Sequence, residues 1–453
     1  MLNSYDNKVV YFLQENEELP EDLKDQIQRI TEYNYINKIV LLPDVHLGYY
    51  FPVGSVVSVD LSYEDACIFP CGIGFDINCG VRMCKTNLMY EQIKNRLSQI
   101  ADELFDNISV GSEKEINLRL RDKERLQENF KLNNQSDFIK TFATEEKKKR
   151  ENIDLKILNG ILDFGLKYLK EINMIDDDLS KIDDYGNYIG NSRNISQKAK
   201  GKGLSQIGSL GSGNHYIEIQ VIEDIYCEKT AKELGLQKNQ ILYSIHSGSR
   251  GLGHQVKSEY EEIIKFNTKE GQKYFAAMKS AANFAFANRA LLCKRVRNVI
   301  KSNFTCDIEL ISDVSHNIIK KEIIFGKEYL LHRKGASQSY CNLRSNHLIP
   351  VGGSMGTASY LLAGTEESLD TTLGSCCHGS GRIFSRKECI ENFTYDKLRT
   401  EMEGIYVRYG NKKGLIEEIP SAYKNIDDVI SVCEKNKISK KIIKVRPLAV
   451  IKG

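Results

Sequence analysis

The chain has eight histidines, and five of them stand where side chains do chemistry. His46, His215, His246, His316 and His378 each end an apolar, strand-like run or sit in a glycine-flanked turn, in the contexts "LLPDVHLG", "GSGNHYIEI", "LYSIHSGSRG", "ISDVSHNI" and "SCCHGSGR". A rigid scaffold presents functional groups at such positions, and several imidazoles so placed point to a metal or phosphate centre. "GIGFDINCG" adds Asp76 and Cys79, three residues apart between glycines. A carboxylate and a thiolate at that spacing can converge on one side of a tight turn, and a sulfur can bridge two divalent ions. Imidazole and thiolate favour zinc, whereas a carboxylate with open, phosphate-facing positions suits manganese, so donor type alone leaves the ion open.

"CCHGSGR" differs in kind. Gly379, Ser380 and Gly381 let backbone amides turn toward an anion, and Arg382 offers a planar charged fork. His378, at the head of that loop, faces a phosphate either as a general acid or as a nucleophile that forms a phosphoramidate. "GGSMGTAS" places Ser354 and Ser359 on flexible backbone suited to a phosphate or a base, and Arg250 lies one strand end from His246 as a phosphate clamp.

These residues need strands to carry them. "NKIVLLPDVHLGYYFPVGSVVSVD" and "ACIFPCGIGFDINCGVRM" alternate buried strand-like runs with turn punctuation. Glycine clusters return after Gly201, separated by the alanine-rich helical stretch "FAAMKSAANFAFANRALLCKRVRNVI", and "KKIIKVRPLAVIKG" reads as a closing strand. Residues 107–200 are dense in charge with apolar residues at helical spacing, the pattern of a charged helical insertion. The expected fold is a mixed α/β (α+β) body, one catalytic domain over residues 1–453, with strands carrying the site at their ends and the helical insertion 107–200 within it.

With 453 residues, 41% hydrophobic and 27% charged, the chain can bury a sizeable core. Lysine plus arginine (63) nearly cancels aspartate plus glutamate (61), so any nucleic-acid contact must come from a local groove. No apolar run reaches the ~20 residues of a membrane span, and the N-terminus lacks the pattern of a signal peptide. A cytoplasmic protein with no membrane association is expected. Its twelve scattered cysteines read as reduced core residues with a ligand among them.

Taken in order, "PDVHLGYYFPVGSVV", "GIGFDINCGVR", "GSLGSGNHYIEI", "IHSGSRGLG", "DVSHNI", "HRKGAS", "GGSMGTASYLL", "HGSGR" and the terminal "KG" resemble the RtcB family of RNA-splicing ligases across nearly the whole chain outside the insertion. The resemblance implies a GTP- and manganese-dependent enzyme that joins RNA ends bearing a 2′,3′-cyclic phosphate or 3′-phosphate to 5′-hydroxyl ends, in tRNA splicing or RNA repair. By the same resemblance His378 is the nucleophile that becomes guanylylated. Asp76, Cys79 and His215 hold one of two manganese ions, and Cys79, His246 and His316 the other. Asn214 lies beside the nucleotide phosphate. Glu218, Ser354, Ser359, Tyr423 and Lys452 match guanine- and ribose-side contacts. Tyr216, Ile217, Asn317, Gly352, Gly353 and Met355, together with His215, His316 and the loop residues His378 to Gly381, complete the expected GTP site.

RNA, GTP and an archease-type activator are the partners implied, on a monomer. Arg250, His254, Asn283, Arg289, Arg333, Lys334 and Arg386 are candidates to touch RNA. Ser380 stands where the family more commonly has alanine, Gly352 where proline is usual, and Ser337, Gln338 and Ser339 replace a run that carries an arginine. These departures bear on substrate preference more than on chemistry. The competing reading is a metal-dependent phosphoesterase that opens cyclic phosphates without a ligase step. A hydrolase has no use for His378 in its glycine loop or for Lys452.

Overall fold

The computed structural model describes residues 3–111, 153–339 and 348–453. Its strands are β1 (Asn3–Asp6), β2 (Val9–Tyr11), β3 (Ile36–His46), β4 (Val53–Asp60), β5 (Cys67–Ile68), β6 (Gly80–Met89), β7 (Tyr216–Ile225), β8 (Gln240–Ser247), β9 (Ile264–Lys265), β10 (Ile308–Ser315), β11 (Asn317–Ile324), β12 (Lys327–Lys334), β13 (Ala336–Gln338), β14 (Leu348–Val351), β15 (Ser359–Gly364), β16 (Ser375–Cys377), β17 (Tyr406–Tyr409) and β18 (Ser439–Lys452). One sheet has the order β1-β2-β3-β4-β12-β11. A second runs β10-β6-β8-β7-β18-β15-β14, with β17 pairing onto β18. The expected mixed α/β body is present, and it is dominated by antiparallel pairing.

Register in the second sheet decides where the chemistry falls. Ser315 of β10 faces Gly80 of β6, Gly80 faces Ser247 of β8, His246 of β8 faces Tyr216 of β7, and Tyr216 faces Lys452 of β18. Cys79, His215, His246, His316 and Lys452 therefore come to one end of the sheet, although up to several hundred residues separate them in sequence. Side chains alternate across a strand, so Tyr216 and Glu218 share one face while Ile217 packs into the main core on the other.

The helix Lys269–Asn303 backs this end of the sheet. Thr268 caps it by accepting from the Gly271 amide. Alanine lets the helix sit close, and it is buried nearly all round, as expected of a helix apolar on every face. Its polar exceptions hold the site. Asn288 donates to Ser209 O and Ser247 Oγ, both at 3.0 Å. Arg289 donates to Asn78 O at 2.7 Å, to Ser247 O at 3.0 Å and to Asp313 at 2.8 Å. Asp313 also pairs with Arg82, which reaches Asp177 at 2.6 Å, and all four side chains are fully buried. Asn78 and Ser247 are the neighbours of Cys79 and His246, so this charge network fixes the backbone on which those two side chains stand.

Of the charged segment 107–200, residues 112–152 lie outside those described. The helix Leu155–Glu171 follows, capped by Asp154, and Leu158, Ile161, Leu162, Leu166 and Leu169 enter the main core against the long helix. This helix is part of the body's packing. Among the described residues no helix is long and apolar enough to cross a membrane.

Candidate active site

Asp76 and Cys79 lie in the turn leading into β6. Asn78 adopts φ 56°, a left-handed conformation that asparagine tolerates, and its side chain ties back to Ala282 O at 2.8 Å. Gly248 lets the strand end pass the carboxylate, since a Cβ there would meet Asp76 Oδ1 at 2.3 Å. His316 is held by its amide on Cys79 O at 2.8 Å.

The donor atoms then converge. His215 Nε2 is 2.9 Å from Asp76 Oδ2 and 3.4 Å from Cys79 Sγ. His246 Nε2 is 3.2 Å from the same sulfur and 3.3 Å from His316 Nε2. Two triads result, Asp76–Cys79–His215 and Cys79–His246–His316, with Cys79 common to both. Burial first, then the neighbouring histidines, holds His246 and His316 well below the usual imidazole range, so both rings are neutral, as cation ligands must be. Burial opposes ionisation of Asp76, yet His215 beside it keeps its carboxyl below the usual range. Burial and then Asp76 push the Cys79 thiol up; a bound cation would reverse that and hold the thiolate. A carboxylate, a sulfur and three imidazoles packed at these distances, two of them presenting facing Nε2 atoms, fit a pair of divalent cations.

His378 follows β16, its ring 4.8 Å from that of His316. Fully buried Asp44 holds it: one carboxylate oxygen, Oδ2, accepts from Nδ1 at 2.7 Å, from the His378 amide at 3.1 Å and from the Gly379 amide at 3.3 Å. With Nδ1 occupied, Nε2 is the atom left to react. The motifs alone do not single out Asp44. It stands in "PDVH", two residues before His46, a cleft-lining ring that burial holds down at about 4. Gly54 and Gly335 make the approach possible, because a Cβ would lie 2.8 Å from Asp44 Oδ1 and 2.9 Å from the His378 ring respectively.

A cleft of about 300 Å3 opens beside His378. It is lined by Asn214, Tyr216, His246, Asn317, Gly352, Gly353, Gly379, Ser380, Gly381, Arg382, Arg386 and Tyr423. Gly352 bridges to Gly379, joining its two glycine loops. Ser380 Oγ is buried with no hydrogen-bond partner. Glu218 and Lys452, on the paired strands β7 and β18 behind Tyr216, are buried near one another. Burial raises Glu218 to about 8 and lowers Lys452, against the pull of Glu418 and Glu218. Glu418, a second residue missed in the sequence, gathers Arg382 and Arg386, each at 2.9 Å, and the Tyr423 hydroxyl. Ser354 bonds Thr357, Ser359 accepts from the Gly353 amide at 3.2 Å, and Met355 packs against the Tyr216 cluster, so these three shape the loop from behind. Ile217 keeps its side chain in the core.

Several candidate RNA contacts are corrected. Asn283, Arg289 and Arg333 are fully buried, Arg333 against Glu322 and Ser375, and buried Lys334 donates to Phe51 O. Each is committed to packing that charge counting in a sequence cannot see. Arg250 donates to Ser209 Oγ and Gly111 O. His254, stacked on Phe75, and half-exposed Arg386 remain open to solvent.

A carboxylate-anchored histidine facing a cation-ready cluster across a glycine-lined cleft defines an enzyme. The family model described as tRNA-splicing ligase RtcB matches residues 26–453. The chain is 36% identical to "RNA-splicing ligase RtcB homolog 1" of Entamoeba histolytica, over 92% of this chain and 80% of that protein. It is also 36% identical to "tRNA-splicing ligase RtcB" of Thermococcus kodakarensis, over 91% and 87%. "RNA-splicing ligase RtcB homolog 2" of Entamoeba dispar is similar to the same degree, over 92% and 80%. The chain belongs to the RtcB family.

Proposed function

We propose that the protein is a GTP-dependent RNA ligase that joins 2′,3′-cyclic phosphate or 3′-phosphate ends to 5′-hydroxyl ends through a guanylylated His378. The observation that carries this reading is the placement of Asp44-held His378 against two donor triads that share one sulfur. Asp76, Cys79 and His215 would hold one manganese ion, and Cys79, His246 and His316 the other. When bound, such ions supply charge neutralisation at phosphate oxygens.

His378 Nε2, which carries the lone pair in the neutral tautomer that the Asp44 bond to Nδ1–H selects, attacks the α-phosphorus of GTP in line with the departing pyrophosphate. The loop of Gly379, Ser380 and Gly381, whose first amide is taken by Asp44, and Asn214 line the space for the phosphates. Glu218 offers acceptors to the guanine N–H edge, and Lys452 a donor to its carbonyl. A 2′,3′-cyclic end is first hydrolysed by water at the P–O2′ bond to the 3′-phosphate; the guanylate then passes from His378 to the RNA 3′-phosphate, and the 5′-hydroxyl attacks that phosphorus, losing its proton and expelling GMP. The buried Glu218–Lys452 pair favours this over a hydrolase, which has no base to recognise.

The test is incubation with α-labelled GTP and manganese. A covalent, acid-labile label that disappears in His378→Ala is expected. Cyclic-phosphate opening without label would overturn the proposal.

A further inference from the structure

The described residues hold a second convergence of sulfur, behind the His378 loop. Cys376 and Cys377 end β16, and Cys433 lies on the helix Ile426–Lys435. Cys377 Sγ is 3.5 Å from Cys433 Sγ and 3.9 Å from Cys376 Sγ, and the three sulfurs all lie within 4.8 Å of one another. All are fully buried in an apolar cluster that includes Val40, Val351, Tyr360 and Ile430. Ser439 Oγ is 3.5 Å from Cys376 Sγ.

The spacing is that of a ligand set. Tetrahedral thiolates at about 2.3 Å from one ion sit about 3.8 Å apart, and the two distances from Cys377, 3.5 and 3.9 Å, bracket that value. Successive residues of a strand ordinarily point to opposite faces, yet the sulfurs of Cys376 and Cys377 lie 3.9 Å apart, both within reach of Cys433. The other buried thiol pair is different. Cys84 and Cys293 approach to 3.6 Å and the Tyr243 hydroxyl lies 3.3 Å from Cys293, but among the described residues no third cysteine, histidine or carboxylate joins them in a ligand set.

We propose that Cys376, Cys377 and Cys433 bind one thiophilic d10 cation, of the Zn2+ or Cu+ kind, in a closed structural site with Ser439 Oγ as the nearest further donor. Soft thiolates select such ions over manganese. Each thiol that binds releases its proton to solvent, and no electron is transferred. Because the site has no solvent path, the ion is taken up as the chain folds. Occupancy pins β16 to the helix Ile426–Lys435. His378 follows Cys377 directly, and Tyr423 precedes the helix by three residues, so the ion fixes both walls of the cleft from behind. This inference stands apart from the proposed ligation chemistry.

The test uses the full chain carrying Cys79→Ala, which removes the only sulfur of the other centre. Protein produced with added zinc, copper or cadmium is stripped with chelator, then assayed for retained metal by mass spectrometry and for sulfur-to-metal charge-transfer absorption. A single tightly held equivalent is expected. Adding Cys433→Ser should lower retention at least about tenfold, and adding Cys84→Ser should leave it unchanged; the ion retained identifies the natural occupant. Should Cys433→Ser misfold, X-ray absorption at the metal edge decides on the parent chain, with a sulfur shell near 2.3 Å supporting the site. A nitrogen–oxygen shell, no retained metal, equal retention in folded Cys433→Ser, or a Cys377–Cys433 disulfide in its place would each overturn it.

Discussion

Asp44→Asn is the sharpest perturbation of the proposed chemistry, because it changes one atom and no volume. Asp44 Oδ2 serves three donors, and the shortest bond, 2.7 Å, is the one from His378 Nδ1. Asparagine has one acceptor oxygen. If its amide NH2 faces Nδ1, the ring must carry its proton on Nε2 and the nucleophile is blocked. If its oxygen faces Nδ1, the tautomer survives but the negative charge that steadies the developing imidazolium is gone. Loss of an orienting carboxylate of this kind costs up to about 10^4 in turnover in hydrolases that use the same device, so guanylylation should slow by about 10^2–10^4-fold, or ~2.7–5.5 kcal/mol of barrier. The assay is single-turnover labelling from α-labelled GTP across nucleotide concentration. Asp44 positions the histidine without lining the nucleotide cleft, so the half-saturating GTP concentration should stay within about threefold while the maximal rate falls. A maximal rate within threefold of the unaltered enzyme would refute the assignment of Nε2 as the attacking atom.

Other expectations follow from the same structure. Cys79→Ala removes the one atom common to both triads and should abolish labelling as fully as His378→Ala, while calorimetric manganese titration loses both binding events; near-normal labelling would exclude a bridging thiolate. Arg289→Ala leaves Asp313 partly unpaired in the interior and should destabilise the fold by about 3–5 kcal/mol, read by denaturant unfolding; a stable variant with weaker, less salt-dependent RNA binding would restore Arg289 as an RNA contact. Ser380→Ala deletes a buried hydroxyl that has no protein partner and faces the cleft, and should raise the GTP concentration needed for half-maximal labelling about three- to tenfold, one hydrogen bond's worth; no change would mean that the hydroxyl does not meet the nucleotide. His332, fully buried, accepts from the Phe69 amide at 3.0 Å, and burial lowers it to about 3. The folded state thus binds fewer protons than the unfolded one between about pH 6.5 and 3, so stability falls with acidification by up to about 1.4 kcal/mol per pH unit from this group; His332→Gln should flatten the slope of acid unfolding by that amount.

The residues of this site were legible in the sequence because each donor type sits beside a backbone feature that sequence records. Cys79 and His215 precede strands whose first residues alternate, and His378 opens a glycine run that nothing but an anion or a close approach requires. Their partition into two triads was legible only through resemblance, since spacing along a chain says nothing about which strand ends meet. The meeting is set by register, Ser315 to Gly80 to Ser247 and His246 to Tyr216, and a slip of one residue would turn every ligand to the opposite face. Asp44 and Glu418 escaped notice for a related reason. A carboxylate acquires its meaning here from donors more than three hundred residues away or from two arginines that converge on it across loops. Arg289 and Arg333 misled in the opposite sense, because a cation on a helix or strand reads as surface until its buried carboxylate is known. The burial of Arg289 has a structural consequence: a guanidinium clamped between Asp313 and the carbonyls of Asn78 and Ser247 costs the fold its desolvation, and in return holds the backbone beside Cys79 and His246 in the register that brings one sulfur to both triads.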